Sequence, residues 1–318
     1  MVHCECALEA PGAALCRLFG FRSALPSRPH RSLLAAENAI AAQSKEHPHG
    51  WGIGWFADEE AYVVKSATPA HTCDRFEQIS GRLLSQTFLV HVRRATVGRL
   101  DPLNAHPFRC GRWLFAHNGT LFGFDILREW MAERTDPELR ALILGDTDSE
   151  ALFFYLMTEL SKAGVHRCGR LSAEPQQVAA TVRRTLAALD TAAQELGLSR
   201  PIVNVMLTDG RLFLAHRAGM PLHLSTQKHA CADAPTCPIH NKVCLLPKRP
   251  DQPVNHLLVA SEPIGQENFW EPITDGATIV LDEEFRLHRW EPDASWVPPE
   301  IPLEYRKYIK TDEALVAK

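Results

Sequence analysis

Short apolar or alternating segments, each bounded by turn residues, recur along most of the chain. Segments of this length and pattern predict β-strands. Because they come in adjacent pairs rather than in strict alternation with helices, they favour antiparallel sheets with helices packed outside them. The predicted strands are residues 52–56, 62–65, 88–92, 113–117, 203–207, 212–215, 256–260 and 277–281.

Two further segments have the pattern of helices. Apolar residues repeat at helical spacing over residues 178–196, and Gly197 is the expected C-cap. Thr147 and Glu150 form a T-x-x-E capping box ahead of an apolar run, so a second helix is predicted to begin there. The chain is therefore predicted to have an α+β fold.

The same pattern divides the chain into three parts. Residues 1–15 lack any periodicity, residues 16–298 carry the predicted strands and helices, and residues 299–318 are rich in Pro, Lys and Glu. We expect one compact domain over residues 16–298, with an N-terminal extension before it and a tail that frays after it.

Composition and charge exclude several classes of protein. The 318 residues are 45% hydrophobic and 23% charged, which is typical of a globular protein with a large core. The formal net charge is −4 and no long basic run occurs, so no nucleic-acid partner is expected. The longest apolar runs fall far short of the roughly 20 residues that span a bilayer, so no membrane partner is expected.

The cysteines and the N-terminal residues bear on location. Nine scattered cysteines are an odd number and do not suggest a secreted disulfide framework. Residues 1–15 contain two glutamates and no positively charged region, unlike a signal peptide. We therefore expect a soluble cytoplasmic protein with reduced thiols.

One glycine-dense segment does not fit a nucleotide site. Residues 50–54, Gly-Trp-Gly-Ile-Gly, lack the G-x-G-x-x-G spacing, and no helix is predicted after them. We interpret them as a strand that passes close to another part of the chain. The sequence also contains no Walker A motif, no G-x-S-x-G elbow and no H-E-x-x-H. It therefore does not indicate an ATPase, a serine hydrolase or a zincin.

Five short segments together point to a specific chemistry. They are residues 16–20 (Cys-Arg-Leu-Phe-Gly), 91–98 (His-Val-Arg-Arg-Ala-Thr-Val-Gly), 104–107 (Asn-Ala-His-Pro), 116–119 (Ala-His-Asn-Gly) and 145–150 (Gly-Asp-Thr-Asp-Ser-Glu). In this order they resemble the glutaminase domain of class II glutamine amidotransferases, which are N-terminal-nucleophile enzymes. The resemblance is closer to small stand-alone members, such as the γ-glutamyl hydrolase of ergothioneine synthesis and small bacterial glutamine amidotransferases. Residues 204–211 and 260–263 resemble late segments of those proteins.

This resemblance implies a fold and a reaction. The fold would be the four-layer α-β-β-α sandwich of N-terminal-nucleophile hydrolases. The reaction would be cleavage of a γ-glutamyl amide, either glutamine or another γ-glutamyl compound, through a γ-glutamyl thioester. Such chemistry needs no metal or organic cofactor.

The resemblance assigns the catalytic roles to three residues. Cys16 matches the nucleophile, whose own α-amine serves as the base. The side-chain amide of Asn118 and the backbone N–H of Gly119 match the oxyanion donors. A lone cysteine is more often a small buried apolar residue, and Asn-Gly is a common hairpin turn, so it is the flanking match that favours the catalytic roles.

Four further residues match the part of the family pocket that binds the glutamyl head group. Arg93 would grip the α-carboxylate, and Asp148 would take the α-ammonium. Thr96 would add a hydroxyl, and His106 would line the same pocket. The alternatives are a surface arginine beside a strand for Arg93 and an acid that complements a helix dipole for Asp148.

One arginine departs from the family pattern. Arg94 replaces the aromatic residue found at this place in the sugar-phosphate enzymes. The rim of the pocket is therefore expected to differ from theirs.

A cluster of cysteines and histidines lies outside this scheme. Thiolates and imidazoles are the ligands that zinc prefers, so the cluster could hold a structural zinc ion. Its irregular spacing and nearby prolines favour a cysteine-rich loop without metal. The candidate ligands are Cys231, Cys237, His240 and Cys244, with His229 beside them.

Three functions remain open at this level. A stand-alone γ-glutamyl hydrolase is favoured, because too little chain remains for a second catalytic domain. The chain could instead be a glutaminase subunit that supplies ammonia to a separate synthase. The third alternative is a non-catalytic protein that binds a γ-glutamyl compound.

The α-amine of Cys16 can act as the base only if Cys16 is the N-terminal residue. Within the written chain the nitrogen of Cys16 is an amide, which cannot take a proton near neutral pH, whereas a free α-amine has a pKa of about 7.7–8.0. We therefore expect residues 1–15 to be absent from the active protein. They would be either a propeptide or the product of a misannotated start, with Leu15 as the true initiator.

Overall fold

Two antiparallel sheets form the centre of the protein. A computed structural model describes residues 16–95, 98–165, 173–230 and 252–306. The strands are β1 (Arg17–Ser27), β2 (Trp51–Ala57), β3 (Glu60–Ser66), β4 (Ser85–Val92), β5 (Phe108–Cys110), β6 (Trp113–Thr120), β7 (Ile202–Thr208), β8 (Phe213–His216), β9 (His223–Lys228), β10 (His256–Ala260), β11 (Asn268–Pro272), β12 (Thr278–Leu281) and β13 (Leu287–Trp290). A seven-stranded sheet has the order β11-β9-β10-β1-β4-β2-β3, and a six-stranded sheet has the order β13-β12-β8-β7-β6-β5.

The helices pack on the outer faces of the two sheets. Among the described residues, no helix is both long enough and apolar enough to cross a membrane. The helices are α1 (Ile40–Gln43), α2 (Asp74–Arg82), α3 (Phe124–Arg134), α4 (Pro137–Arg140), α5 (Asp148–Lys162), α6 (Pro175–Glu195) and α7 (Leu303–Arg306), with a π-helical turn at Arg31–Ala35 and 3-10 turns at Ala70–Thr72 and Pro102–Asn104.

Side chains alternate between two cores along the central strands. Leu18 and Leu89 of the seven-stranded sheet pack against Leu114 and Met206 of the six-stranded sheet, which joins the sheets face to face. The opposite face of the seven-stranded sheet packs against α2, and that of the six-stranded sheet packs against α5 and α6. The result is an α-β-β-α sandwich, which confirms the predicted fold.

All eight predicted strands are present, and most of their ends lie within one or two residues of the predicted ends. All observed strand pairings are antiparallel. Strands β1, β5, β9, β11 and β13 were not predicted. In β1 the reason is physical: Arg17 and Arg22 are buried, which hides the apolar pattern. Each has a partner far along the chain: Arg17 pairs with Glu262, and Arg22 donates to the Gly210 carbonyl.

The structure contains the predicted end of α6 and the predicted start of α5, but the capping residue Glu150 bonds to partners other than the expected one. Helix α6 ends before Gly197, which has a positive φ of 70°, as expected of a C-cap glycine. At the start of α5 the Thr147 hydroxyl accepts from the Glu150 N–H at 3.3 Å. The Glu150 carboxylate, however, accepts from the N–H groups of Leu144 and Gly145 rather than from Thr147. The capping box therefore holds the loop before α5 as well as the helix.

The glycines of β2 allow the close approach that the sequence predicts. A Cβ built on Gly52 would lie 1.9 Å from the His106 carbonyl oxygen. Strand β2 therefore lies directly against the segment that carries one of the candidate pocket residues.

We predict that Gly52→Ala destabilises the protein, while the matched variant Gly81→Ala does not. The added methyl at residue 52 must displace backbone, and overpacking of this kind costs about 1–3 kcal/mol. At Gly81 in α2 the nearest atom would be 3.8 Å away, and removing a helical glycine stabilises by up to about 1 kcal/mol. Urea unfolding measures both variants. Equal stabilities for the two would contradict the close approach.

Candidate active site

Cys16 lies at the end of the seven-stranded sheet, directly before β1. The first residue of β1, Arg17, pairs with Val92, the last residue of β4. This register brings the thiol to the chain that leaves β4. The Arg94 N–H donates to the sulfur at 3.3 Å, and the sulfur lies 3.4 Å from the Arg94 carbonyl oxygen. The backbone thus holds the thiol in one place.

The thiol is kept protonated by its surroundings. Burial raises the pKa of Cys16 above its ordinary value, although the Arg94 N–H and the cations of Arg93 and Arg17 act in the opposite direction. Asp148 adds to the rise in the pKa. At neutral pH the group is therefore a thiol, and a nucleophilic role would require a base to remove its proton.

Arg93 follows β4 and points into the same region. Its backbone N–H donates to the Gly50 carbonyl at 2.8 Å, which continues the pairing of β4 with β2. Its guanidinium donates to the carbonyl oxygens of Arg99 at 2.8 Å and Gly98 at 3.3 Å. The side chain is buried, and burial lowers the pKa of the guanidinium, while Cys16 and nearby carboxylates raise it.

Asp148 is the first residue of α5 and is also buried. One carboxylate oxygen accepts from the Leu121 N–H at 3.0 Å, and the other accepts from the Ser149 N–H at 2.8 Å. Leu121 directly follows β6, so the carboxylate joins the start of α5 to the end of that strand. The charges of Asp148 and Arg93 both influence the pKa of Cys16, so an anion and a cation lie within electrostatic range of one thiol.

Asn118 and Gly119 lie near the end of β6. The Asn118 side-chain nitrogen is 3.5 Å from the Ser261 hydroxyl oxygen, which also accepts from the Leu18 N–H at 3.0 Å. Its amide oxygen is buried and has no partner among the described residues. At Gly119 a Cβ would lie 1.8 Å from the Ile202 carbonyl oxygen, so a side chain is excluded there.

His106 is placed differently from the other candidates. Its ring centroid lies 4.2 Å from that of His91 and 4.7 Å from that of Phe108. Burial lowers the pKa of both histidines well below its ordinary value, so both are neutral. Neither ring nitrogen of His106 has a hydrogen-bond partner within the described ranges. Its part in a substrate pocket stays a prediction.

Several candidates lie outside the described residues. They are Thr96 and the proposed zinc ligands Cys231, Cys237, His240 and Cys244. In residues 16–95, 98–165, 173–230 and 252–306, no group of three or more His, Cys, Asp or Glu residues could hold a metal ion. The zinc site stays a prediction.

The structure adds two residues that the sequence alone did not single out. Ser261 forms two hydrogen bonds with Leu18, since its N–H also donates to the Leu18 carbonyl at 3.1 Å. Asn104 connects the loop after Arg93 with the loop before Asp148. Both lie in segments that resemble the family, but nothing in the sequence pairs them with their distant partners.

Comparison with known proteins identifies the family of this chain. The profile of the family Glutamine amidotransferases class-II matches residues 15–293. The chain therefore belongs to the class II glutamine amidotransferases. Its fold is similar to that of a glutamine aminotransferase class-II domain protein from Silicibacter pomeroyi, with a TM-score of 0.58 and 18% identity over 87% of this chain and 99% of that one.

Two curated relatives match over shorter segments. An uncharacterized protein of Methanocaldococcus jannaschii is 33% identical over 135 residues, which is 39% of this chain and 34% of the relative. A γ-glutamyl-hercynylcysteine sulfoxide hydrolase of Mycobacterium tuberculosis is 38% identical over 73 residues, which is 23% of this chain and 31% of the relative. These matches span about a third of each relative's length.

We predict that iodoacetamide alkylates Cys73 before Cys16 at pH 7. Burial raises the pKa of Cys16. At Cys73 partial burial alone would also raise the pKa, but hydrogen bonds led by the Phe76 N–H outweigh it and lower the pKa. A lower pKa leaves more of the reactive thiolate. Peptide mass mapping over time measures the order, with buried Cys110 as the slow reference.

L-Glutamate provides the control for this labelling. If Cys16 lies beside a glutamyl pocket, saturating glutamate slows its alkylation and leaves that of Cys73 unchanged. Faster alkylation of Cys16 than of Cys73 would contradict the raised pKa.

Proposed function

We propose that this protein is a γ-glutamyl amidohydrolase with Cys16 as its nucleophile. The proposal rests on the positions of three groups: the Cys16 thiol is bonded to the backbone directly after Arg93, and the Arg93 cation and the Asp148 anion both lie within electrostatic range of that thiol. An α-amino acid head group carries one negative and one positive charge. A buried cation and a buried anion near the same thiol are suited to bind it while its side-chain amide faces the sulfur.

The first half of the reaction forms a thioester. The Cys16 sulfur attacks the γ-carbonyl carbon, and its proton passes to the α-amine of the same residue. The C–N bond of the amide then breaks, and the leaving amine takes the proton from that α-ammonium. This route requires that Cys16 is the first residue of the active chain.

The second half regenerates the thiol. Water attacks the thioester carbonyl and gives a proton to the α-amine, and the C–S bond breaks. The products are glutamate and a free Cys16 thiol, which recovers its proton from the α-ammonium. Atoms balance with water as the only co-reactant.

Asn118 would stabilise the charge that develops in both halves. Its side chain is buried and lies beside the Leu18–Ser261 contact, next to the nucleophile's strand. A preorganised donor in such a site is worth about 2.7–4 kcal/mol of transition-state stabilisation. In this proposal the Gly119 N–H is the second donor.

The substrate class follows from the head-group charges. Arg93 would bind the α-carboxylate and Asp148 the α-ammonium, with Thr96 and His106 completing the pocket. One relative is named as a hydrolase of γ-glutamyl-hercynylcysteine sulfoxide, which supports a γ-glutamyl compound as the substrate here. We propose a small γ-glutamyl amide, with glutamine itself as one member of the class.

We predict that Arg93→Lys and Asp148→Asn each lower kcat/KM on γ-glutamyl amides by about 10–100-fold, since hydrogen bonds to charged groups are worth about 1.5–3 kcal/mol. Cys16→Ala should abolish turnover with little change in stability. The matched control is Arg289→Lys, whose arginine is exposed on β13. Steady-state kinetics on a panel that includes glutamine and glutathione measure all four variants.

Three outcomes would change the assignment. Normal kinetics in both head-group variants would place the glutamyl pocket elsewhere. If a co-purifying synthase raised the turnover of glutamine, the chain would be an ammonia-supplying subunit. Processed wild type that binds glutamate but shows no turnover would be a binding protein.

A further inference from the structure

The side-chain amide of Asn104 joins two loops that are distant in sequence. The first is the loop after β4, which contains Arg99, and the second is the loop before α5, which contains Asp146. Its nitrogen donates to the Arg99 carbonyl at 3.1 Å and to the Asp146 carboxylate, and its oxygen accepts from the Asp146 N–H at 2.9 Å. The residue is 1% exposed. Both hydrogens and the oxygen of this buried amide are therefore used in one fixed geometry.

The first loop carries the acceptors that orient Arg93. The Arg99 carbonyl accepts from both Arg93 and Asn104. The hydrogen bond that holds this carbonyl in place therefore also fixes the position of one guanidinium nitrogen of Arg93. Asn104 thus acts on the proposed α-carboxylate site through one intervening backbone group.

The second loop leads directly into Asp148. Asp146 lies two residues before it, and both its N–H and its carboxylate are bonded to Asn104. The Thr147 hydroxyl caps α5 immediately afterwards. The position of the Asp148 carboxylate therefore depends on the same amide that orients Arg93.

The backbone of the second loop passes so close to the Asn104 side chain that Gly145 cannot carry a side chain of its own. A Cβ on Gly145 would lie 2.3 Å from the Asn104 amide oxygen and 2.8 Å from the Glu150 carboxylate. Glu150 holds the backbone of this loop through the N–H groups of Leu144 and Gly145. Close packing at Gly145 and the hydrogen bonds of Glu150 therefore both hold the second loop against Asn104.

We infer that Asn104 is a positioning residue that sets the separation between the α-carboxylate site at Arg93 and the α-ammonium site at Asp148. In a free α-amino acid these two groups are a fixed distance apart. Only a head group that carries both can use both sites when the separation is held. Asn104 therefore selects for an intact α-amino acid head group. This inference rests on the proposed function.

The test compares three amides in wild type and in Asn104→Ala. They are glutamine, glutaramate, which lacks the α-amino group, and 4-aminobutanamide, which lacks the α-carboxylate. In the variant we expect kcat/KM for glutamine to fall at least tenfold, mainly through KM. The two single-charge amides should lose less than threefold, because neither engages both sites. The preference for glutamine over each analogue would then fall by more than about threefold.

Three further variants separate positioning from a general loss of structure. Asn268→Ala removes another buried asparagine, whose amide donates to the Ile264 carbonyl at 3.2 Å, and should leave the preference unchanged. Asn104→Asp should behave like Asn104→Ala because it sets a second carboxylate against Asp146. Adding Asp146→Asn to it should restore part of the preference by restoring a donor–acceptor pair.

The possible failures are distinguishable. A wild type without turnover of any γ-glutamyl amide would overturn the proposed function and this inference with it. An active wild type, with an Asn104→Ala variant that loses turnover equally on all three amides, would overturn only the positioning role.

Discussion

The placement of β1 between β4 and β10 determines the rest of the site. The strand is paired on both sides, with Phe19 opposite Val90 on one neighbour and opposite Ala260 on the other. Ser261 then closes the end of the pairing through two hydrogen bonds to Leu18. Because a one-residue slip in an antiparallel register would turn every side chain to the other face, this pairing decides that Leu18 packs between the two sheets and that Cys16 lies beside the chain leaving β4.

Several charges are buried around that strand end, and each has a compensating partner. Arg17 pairs with Glu262, Arg93 donates to two carbonyls, and Asp148 accepts from two N–H groups. Removing one member of such an arrangement is expensive, since an uncompensated buried charge costs about 3–5 kcal/mol. The charges near the thiol are thus held by the fold before any substrate binds. Preorganisation of this kind is what a site needs to bind a zwitterionic head group and to stabilise a developing charge.

Much of the architecture could be predicted from the pattern of the sequence. The paired strand segments indicated antiparallel sheets, and the capping signals located α5 and α6. Strand β1 was missed because its two arginines are buried against partners far along the chain, which no local pattern reveals. The second role of Glu150 was missed for a different reason: its partners are close in sequence, but the T-x-x-E pattern predicts a bond to the N-cap and not to the loop before it.

The candidate site could likewise be predicted only in part from the sequence. The order of the motifs identified Cys16, Arg93, Asn118 and Asp148, and the structure brings these residues to one end of the sandwich. The motifs could not indicate that His106 packs against His91, since that contact depends on how two separate segments meet. Nor could they pair Asn104 with Asp146, or Ser261 with Leu18. Such contacts belong to the tertiary structure rather than to any one segment.

In the proposed mechanism Cys16 becomes acylated during turnover. Acid quenching within the first turnovers on a γ-glutamyl amide, followed by peptide mass mapping, tests this most directly. One γ-glutamyl group is expected on the peptide that contains Cys16, and none is expected when the substrate is omitted. Turnover that proceeds with the acyl group on another residue, or with no acylated peptide under conditions that preserve a thioester, would contradict it.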